Sequence, residues 1–173
     1  MKSSLKPSFR ATAARATIFA LAALGAVHGA QAAGELTVAE ARTVIAPFYD
    51  ALNQPAQKNV EELVSASTSA EWKSCGGINM CLPRAAIINA FKARGLAIPD
   101  LKWAVVDVTV VGNTAVVRGE ATGTPVAPVM GAQPTGKGFR VMSIDIHTIE
   151  NKKMVQSFHV EDWAGAVRQM NAQ

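Results

Sequence analysis

The chain has 173 residues, with 17 Lys and Arg against 13 Asp and Glu, a net charge of +4. The whole excess sits in Lys2, Lys6, Arg10 and Arg15, and no acid precedes Glu35, so the rest of the chain is neutral. A neutral body excludes a nucleic-acid binder or a basic membrane-surface module, which need concentrated positive charge. With 49% apolar and 17% charged residues, intrinsic disorder is excluded as well. The length fits one domain with a sizeable core.

Residues 1–32 read as a secretory signal. A basic stretch to Arg15 precedes the apolar run Ala16–Val27, and Ala30-Gln31-Ala32 supplies small side chains for cleavage. The apolar run is shorter than the roughly twenty residues that span a bilayer, so no membrane attachment is expected after cleavage. No Arg-Arg pair precedes the run, which points to general secretion over the twin-arginine route. The expected compartment is periplasmic or extracellular, and the expected domain is 33–173.

Thr37 to Asn53 is the first predicted helix. Thr37 and Glu40 have capping-box spacing, and Val38, Ala41, Ile45, Phe48, Tyr49 and Leu52 recur at helical intervals. Pro47 predicts a kink or an early break. Asn59 to Val64 is a short second helix, with Asn59 as cap and Glu61 and Glu62 in the first turn.

Two cysteines follow, Cys75 and Cys81, with Gly76 and Gly77 between them. In an oxidising compartment they are expected to form a disulfide, worth roughly 2 kcal/mol by loop entropy. Two thiolates alone are half of a zinc shell, and no histidine stands near to complete it. Pro83 to Arg94 is a third helix, opened by proline and closed by Gly95.

After Pro99 the pattern turns to strands. Leu101–Val111 and Thr114–Thr124 flank a Gly112-Asn113 turn, and Phe139–Ile149 and Met154–Val160 flank Glu150–Lys153. Trp163–Met170 is a closing helix. Helices followed by a meander of antiparallel strands define an α+β domain, with helices on one face of a curved sheet and a concave pocket suited to a small molecule.

Alternation puts Ser143, Asp145 and His147 on one face of their strand, and Ser157 and His159 on one face of the next. If those faces point inward, Asp145, His147 and His159 share a cavity; if they point outward, they form an ordinary wet face. Imidazole exchanges protons near neutral pH, and a carboxylate on its second nitrogen fixes the tautomer. Asp162 precedes the last helix, where an N-cap role accounts for it. Glu161 reads as a first-turn or surface acid and Trp163 as a packing residue. The spacing of two metal-binding histidines on one helix is absent, so no metal is expected. Gly131–Lys137 imitates a phosphate loop, but Gly138 and a strand follow where Ser or Thr and a helix are required.

Arg118-Gly119, Gly123-Thr124, Pro134-Thr135-Gly136-Lys137, Asp145-Ile146-His147, the Glu150–Met154 turn and Asp162-Trp163-Ala164-Gly165 with Gln169 together resemble the SnoaL-like polyketide cyclase (ester cyclase) family of the nuclear transport factor 2-like superfamily. The resemblance implies a cone-shaped α+β barrel, open at one end, and favours inward-facing polar strands. In such cyclases an aspartate removes a proton alpha to a carbonyl, a histidine on the neighbouring strand assists, and no cofactor takes part.

Here His159 occupies the position of the catalytic aspartate and Asp145 that of the assisting histidine. Pro125 stands where relatives often place histidine, and Asn151-Lys152 replaces an Asp-Gly turn. The expectation is a domain that takes a small apolar carbonyl or ester compound, with His159 as base, Asp145 as its orienter, and His147, Ser143, Trp103 and Asp162 around the pocket. The rival reading is a binding or dimeric interaction module without turnover. Pairing through the sheet is common in the superfamily, which implies a homodimer.

Overall fold

The computed structural model describes residues 35–172, so the leader read over residues 1–32 lies outside the described residues. The first helix, α1 (Val38–Ala51), opens on the expected capping box. The Glu40 N–H donates to Thr37 Oγ1 at 3.2 Å, and the Thr37 N–H donates to Glu40 Oε2 at 2.9 Å. α1 runs on through Pro47 without the predicted break. An internal proline costs about 3 kcal/mol, but Ala41, Ile45, Phe48 and Tyr49 are all buried on one stripe of this helix, and that packing holds it.

A 3-10 turn (Pro55–Gln57) leads to α2 (Val60–Ser67), whose Glu62 N–H donates to the Asn59 side chain. Two strands then precede the next helix: β1 (Thr68–Cys75) and β2 (Cys81–Pro83), joined by the Cys75–Cys81 disulfide. The sequence reading expected the disulfide and no strand here. Thr68–Cys75 carries little β-branched signal; Trp72, fully buried, anchors it instead.

α3 (Arg84–Ala97) continues past Gly95, so Gly95 is not its terminator. A Cβ at Gly95 would lie 2.6 Å from the Ala56 backbone nitrogen, so the residue allows α3 to close on the 3-10 turn.

The remaining strands are β3 (Lys102–Val111), β4 (Thr114–Gly123), β5 (Phe139–Glu150) and β6 (Lys153–Glu161), followed by α4 (Trp163–Asn171). Gly112 takes positive φ at the first turn, and Asn151 and Lys152 both take it at the second. The phosphate-loop imitation lies in the β4–β5 connection and runs into a strand, as expected.

The sheet order is β2-β1-β6-β5-β4-β3. β3 to β6 form the predicted antiparallel meander, while β1 pairs with β6 in parallel. The α+β class stands; the sheet is mixed, and β2 and β3 remain as edges, so it does not close into a full barrel. Register shifts between Val105 and Asp107 and between Thr148 and Ile149 supply the bulges that bend such sheets.

Phe48 centres the interior. Its ring meets those of Tyr49, Trp72, Phe91 and His147 edge-on, at 5.5 to 5.8 Å between centroids. The alternation of β5 resolves toward the inside. Phe139, Val141, Ser143, Asp145, His147 and Ile149 are buried, and Met142 and Ile146 face solvent. The polar trio Ser143, Asp145 and His147 is thus on the inner face, while Met142, Ile144 and Ile146 lie on the outer one. No helix among the described residues is long and apolar enough to cross a membrane.

Candidate active site

The helices and the inner face of β5 and β6 enclose a cavity of about 440 Å³. Its wall is largely apolar, with Phe48, Leu52, Ile87, Phe91, Trp103, Met80 and Leu82. Its polar lining is Asp145, His147, Ser157, His159, Glu161, Arg94, Ser74 and Asn79. Register sets the polar cluster in three cross-strand pairs: Ser143 opposite Glu161, Asp145 opposite His159, and His147 opposite Ser157.

Asp145 is only 5% exposed. The Ser143 hydroxyl donates to its Oδ2 at 3.3 Å, and Trp103 Nε1–H donates to Ser143 Oγ at 3.1 Å. Gly119 on β4 makes room for this pair, since a Cβ there would come within 2.5 Å of Ser143 Oγ. Burial is the largest influence on Asp145 and raises its pKa to about 6. The nearby Glu161 charge adds to the rise, and the Tyr49 hydroxyl, His159 and Ser143 moderate it.

His147 has a different task. Its Nδ1 lies 2.7 Å from Ser157 Oγ, and its Nε2 lies 3.1 Å from Tyr49 Oη. Ser157 Oγ also accepts the Trp72 Nε1–H at 2.9 Å. Full burial lowers its pKa to about 3, so the ring is neutral. With the proton assigned to Nε2, a single direction runs through the network. Trp72 donates to Ser157, Ser157 to His147 and His147 to Tyr49, which leaves the Tyr49 O–H free to turn toward Asp145. Burial raises the Tyr49 pKa well above its usual value, so it stays a neutral donor.

His159 bonds to Glu161 rather than to Asp145. Nδ1 and Glu161 Oε1 are 2.9 Å apart, while Trp163 Nε1–H donates to Oε2 at 3.2 Å. The Glu161 hydrogen bond is the largest influence on His159 and raises its pKa. Gly76, at the start of the disulfide loop, lies against this ring; a Cβ there would be 3.2 Å from both Cε1 and Nε2.

The sequence therefore places Asp145, His147, His159 and Trp103 on one cavity. Ser143 stands behind Asp145 and does not line the cavity. Asp162 does not line it either: its carboxylate accepts the Gly165 N–H at 2.7 Å, and it caps α4. Glu161 reads from the sequence as a first-turn or surface acid, yet it lies at the end of β6, its side chain is 11% exposed and it holds His159. It stands two residues from His159 on the same strand face, a signal the alternation already carried. Tyr49 and Arg94 arrive from α1 and α3, which strand spacing does not reveal.

Donor atoms of Asp145, His159 and Glu161 lie within 4.8 Å of one another, close enough to consider a cation. His159 Nδ1 and Glu161 Oε1 already satisfy each other, and the Arg94 guanidinium acts on the same cluster. A cation would have to break that hydrogen bond and sit beside a fixed positive charge. The donor set fits acid–base chemistry better.

Helices on a bent mixed sheet, with one polar cluster at the base of an apolar hollow, define a nuclear transport factor 2-like domain. The SnoaL-like polyketide cyclase family matches residues 43–170, and the chain belongs to that family. No curated protein matches the sequence.

Similar solved structures carry the same fold. TsrD from Streptomyces laurentii is 24% identical, with a TM-score of 0.69 over 80% of this chain and 100% of its own. A putative SnoaL-like polyketide cyclase from Jannaschia sp. CCS1 is 18% identical, with a TM-score of 0.68 over 78% of this chain and 94% of its own. IdmH, a putative polyketide cyclase from Streptomyces antibioticus, is 19% identical, with a TM-score of 0.64 over 75% and 97%. At these identities the likeness concerns the fold.

Proposed function

We propose that this domain is exported and binds a small, mostly apolar carbonyl compound, from which it removes a proton alpha to the carbonyl without a cofactor. Asp145 is the base and His159, protonated and held by Glu161, is the acid that stabilises the developing enolate. These roles are exchanged relative to those the sequence reading gave the same two residues. The observation that carries the proposal is the buried Asp145 carboxylate, with a pKa of about 6, directly opposite an imidazole whose own partner favours its protonated form. Two groups whose surroundings push them toward opposite roles are the usual signature of an acid–base pair. Export rests on the leader composition and agrees with the disulfide.

The test uses α-tetralone, a compact apolar ketone, in D₂O, with loss of its alpha-proton signal followed by NMR. The wild-type protein is expected to accelerate exchange over buffer, and Asp145→Asn to abolish the acceleration. Binding without any accelerated exchange would contradict the catalytic reading and leave a carrier.

A second reading concerns association. The outer face of β5 and β6 presents Met142, Ile146, Phe158 and Val160, each at least 40% exposed, with Ile146 directly opposite Phe158. A contiguous apolar sheet face of this kind suits a second copy of the chain, and we propose a homodimer through it.

A further inference from the structure

Arg94 is the one feature of the pocket that neither acid–base chemistry nor packing uses fully. It lies on α3, lines the same cavity as Asp145 and His159, and is half-buried. Its guanidinium lies over the Trp163 ring, 5.1 Å from the centroid. This cation–π contact uses the charge and none of the N–H donors as conventional hydrogen bonds. Among the described residues the Arg94 side chain makes no ion pair and no hydrogen bond.

The acids nearby do not supply the missing partner. Each oxygen of Glu161 already accepts a hydrogen bond, from His159 Nδ1 and Trp163 Nε1–H, and its charge favours the charged Arg94 without a hydrogen bond between the two. Asp145 Oδ2 takes the Ser143 hydroxyl. The burial that surrounds Arg94 disfavours its charged form, and a guanidinium in such a place ordinarily has a carboxylate or another acceptor on its fork. The surrounding wall of Phe48, Leu52, Ile87 and Phe91 offers none.

We infer that the open edge of Arg94 is an anion subsite, and that the ligand is an apolar carbonyl compound bearing an ionised carboxylate. The inference rests on the pocket being a small-molecule site, as proposed above, and narrows what enters it. The planar fork matches two carboxylate oxygens, and the contact with Trp163 holds the guanidinium at the pocket wall. His159 has a different role in this reading: its Nδ1 is held by Glu161 and its remaining N–H serves the carbonyl oxygen, which leaves the carboxylate to Arg94. Arg94 is thus a specificity-determining residue and takes no part in the proton transfer.

Isothermal titration with 2-naphthoate and its neutral isostere 2-naphthamide tests this. The wild-type protein should bind the acid about tenfold or more tightly than the amide, the scale of a hydrogen bond to a charged group. Arg94→Gln should weaken binding of the acid far more than that of the amide and so lose the preference, and Arg94→Lys should keep part of it. Circular dichroism and melting temperature report whether each variant is folded. If Arg94→Gln does not fold, the wild-type ratio and its reduction in Arg94→Lys decide the matter.

Equal affinity for the two probes, or a preference that survives in Arg94→Gln, overturns the anion subsite and leaves the small-molecule pocket standing. Binding of neither probe overturns both.

Discussion

Asp145 and His159 are paired directly across β5 and β6, yet each hydrogen-bonds away from the other, Asp145 to Ser143 and His159 to Glu161. Had they bonded to each other, they would form an ion pair and the carboxylate would be pulled below its usual range. Separated, the carboxylate responds mainly to burial and the imidazole mainly to Glu161. The space between them, less than 4.8 Å across their donor atoms, is where a reacting group can meet both.

This division of partners fixes a pH profile. Exchange catalysed by Asp145 should rise with pH through about 6 as the carboxylate ionises, and decline above the raised pKa of His159. Removing the Glu161 charge should lower the His159 pKa. Rate–pH curves for wild type and Glu161→Gln should show the alkaline limb moving to lower pH, with the acid limb, set mainly by burial, moving less and in the same direction. An alkaline limb that stays in place would remove Glu161 from its role.

Asp145→Asn should stabilise the protein at pH 8. The folded carboxyl has its pKa raised from 3.8 to about 6, so it contributes stability below pH 3.8 that is lost as pH rises through 6. Ionised and buried, it costs up to about 3 kcal/mol, at 1.36 kcal/mol per unit. His147 has the opposite sign. Its pKa falls from 6.5 to about 3, so its contribution is present above pH 6.5 and lost on acidification toward 3. Between pH 4 and 6 the two slopes oppose each other in the wild type, whereas in Asp145→Asn only the histidine loss remains. Urea denaturation at pH 8, 6 and 4.5 should show the advantage of the variant shrinking as pH falls.

Ser157→Ala leaves Trp72 Nε1–H and His147 Nδ1 without their common partner in a dry interior. A loss of about 1–3 kcal/mol is expected by equilibrium unfolding. Trp72→Phe in the Ser157→Ala background should cost less than Trp72→Phe alone, because the indole N–H has already lost its acceptor.

Much of this arrangement was legible in the sequence, and the reasons are local. Thr37 and Glu40 cap α1 through a contact three residues apart, and Ser143, Asp145 and His147 declare a shared face by their spacing. The direction in which that face points is not local, and the family resemblance, not the periodicity, favoured the inside. β1 was missed because its signal is one buried Trp and its partner β6 lies some eighty residues on in parallel register. Arg94 was hidden for a similar reason. On α3 it reads as a terminal-turn cation, and only the tertiary fold brings Trp163 of α4 to it.

Ile146→Lys places a charge in the centre of the outer apolar face, opposite Phe158. A dimer formed through that face should become a monomer in multi-angle light scattering, with the exchange activity retained. A wild-type protein that remains monomeric at high concentration would exclude the sheet-mediated dimer.

The central claim is that Asp145 ionises near neutral pH inside the pocket, and ¹³C NMR of its carboxyl carbon, assigned by difference with Asp145→Asn, measures this directly. The account predicts a titration midpoint near pH 6. A midpoint at or below the ordinary carboxylate value of about 4 would show a solvated or ion-paired group, and Asp145 would then be no base at neutral pH.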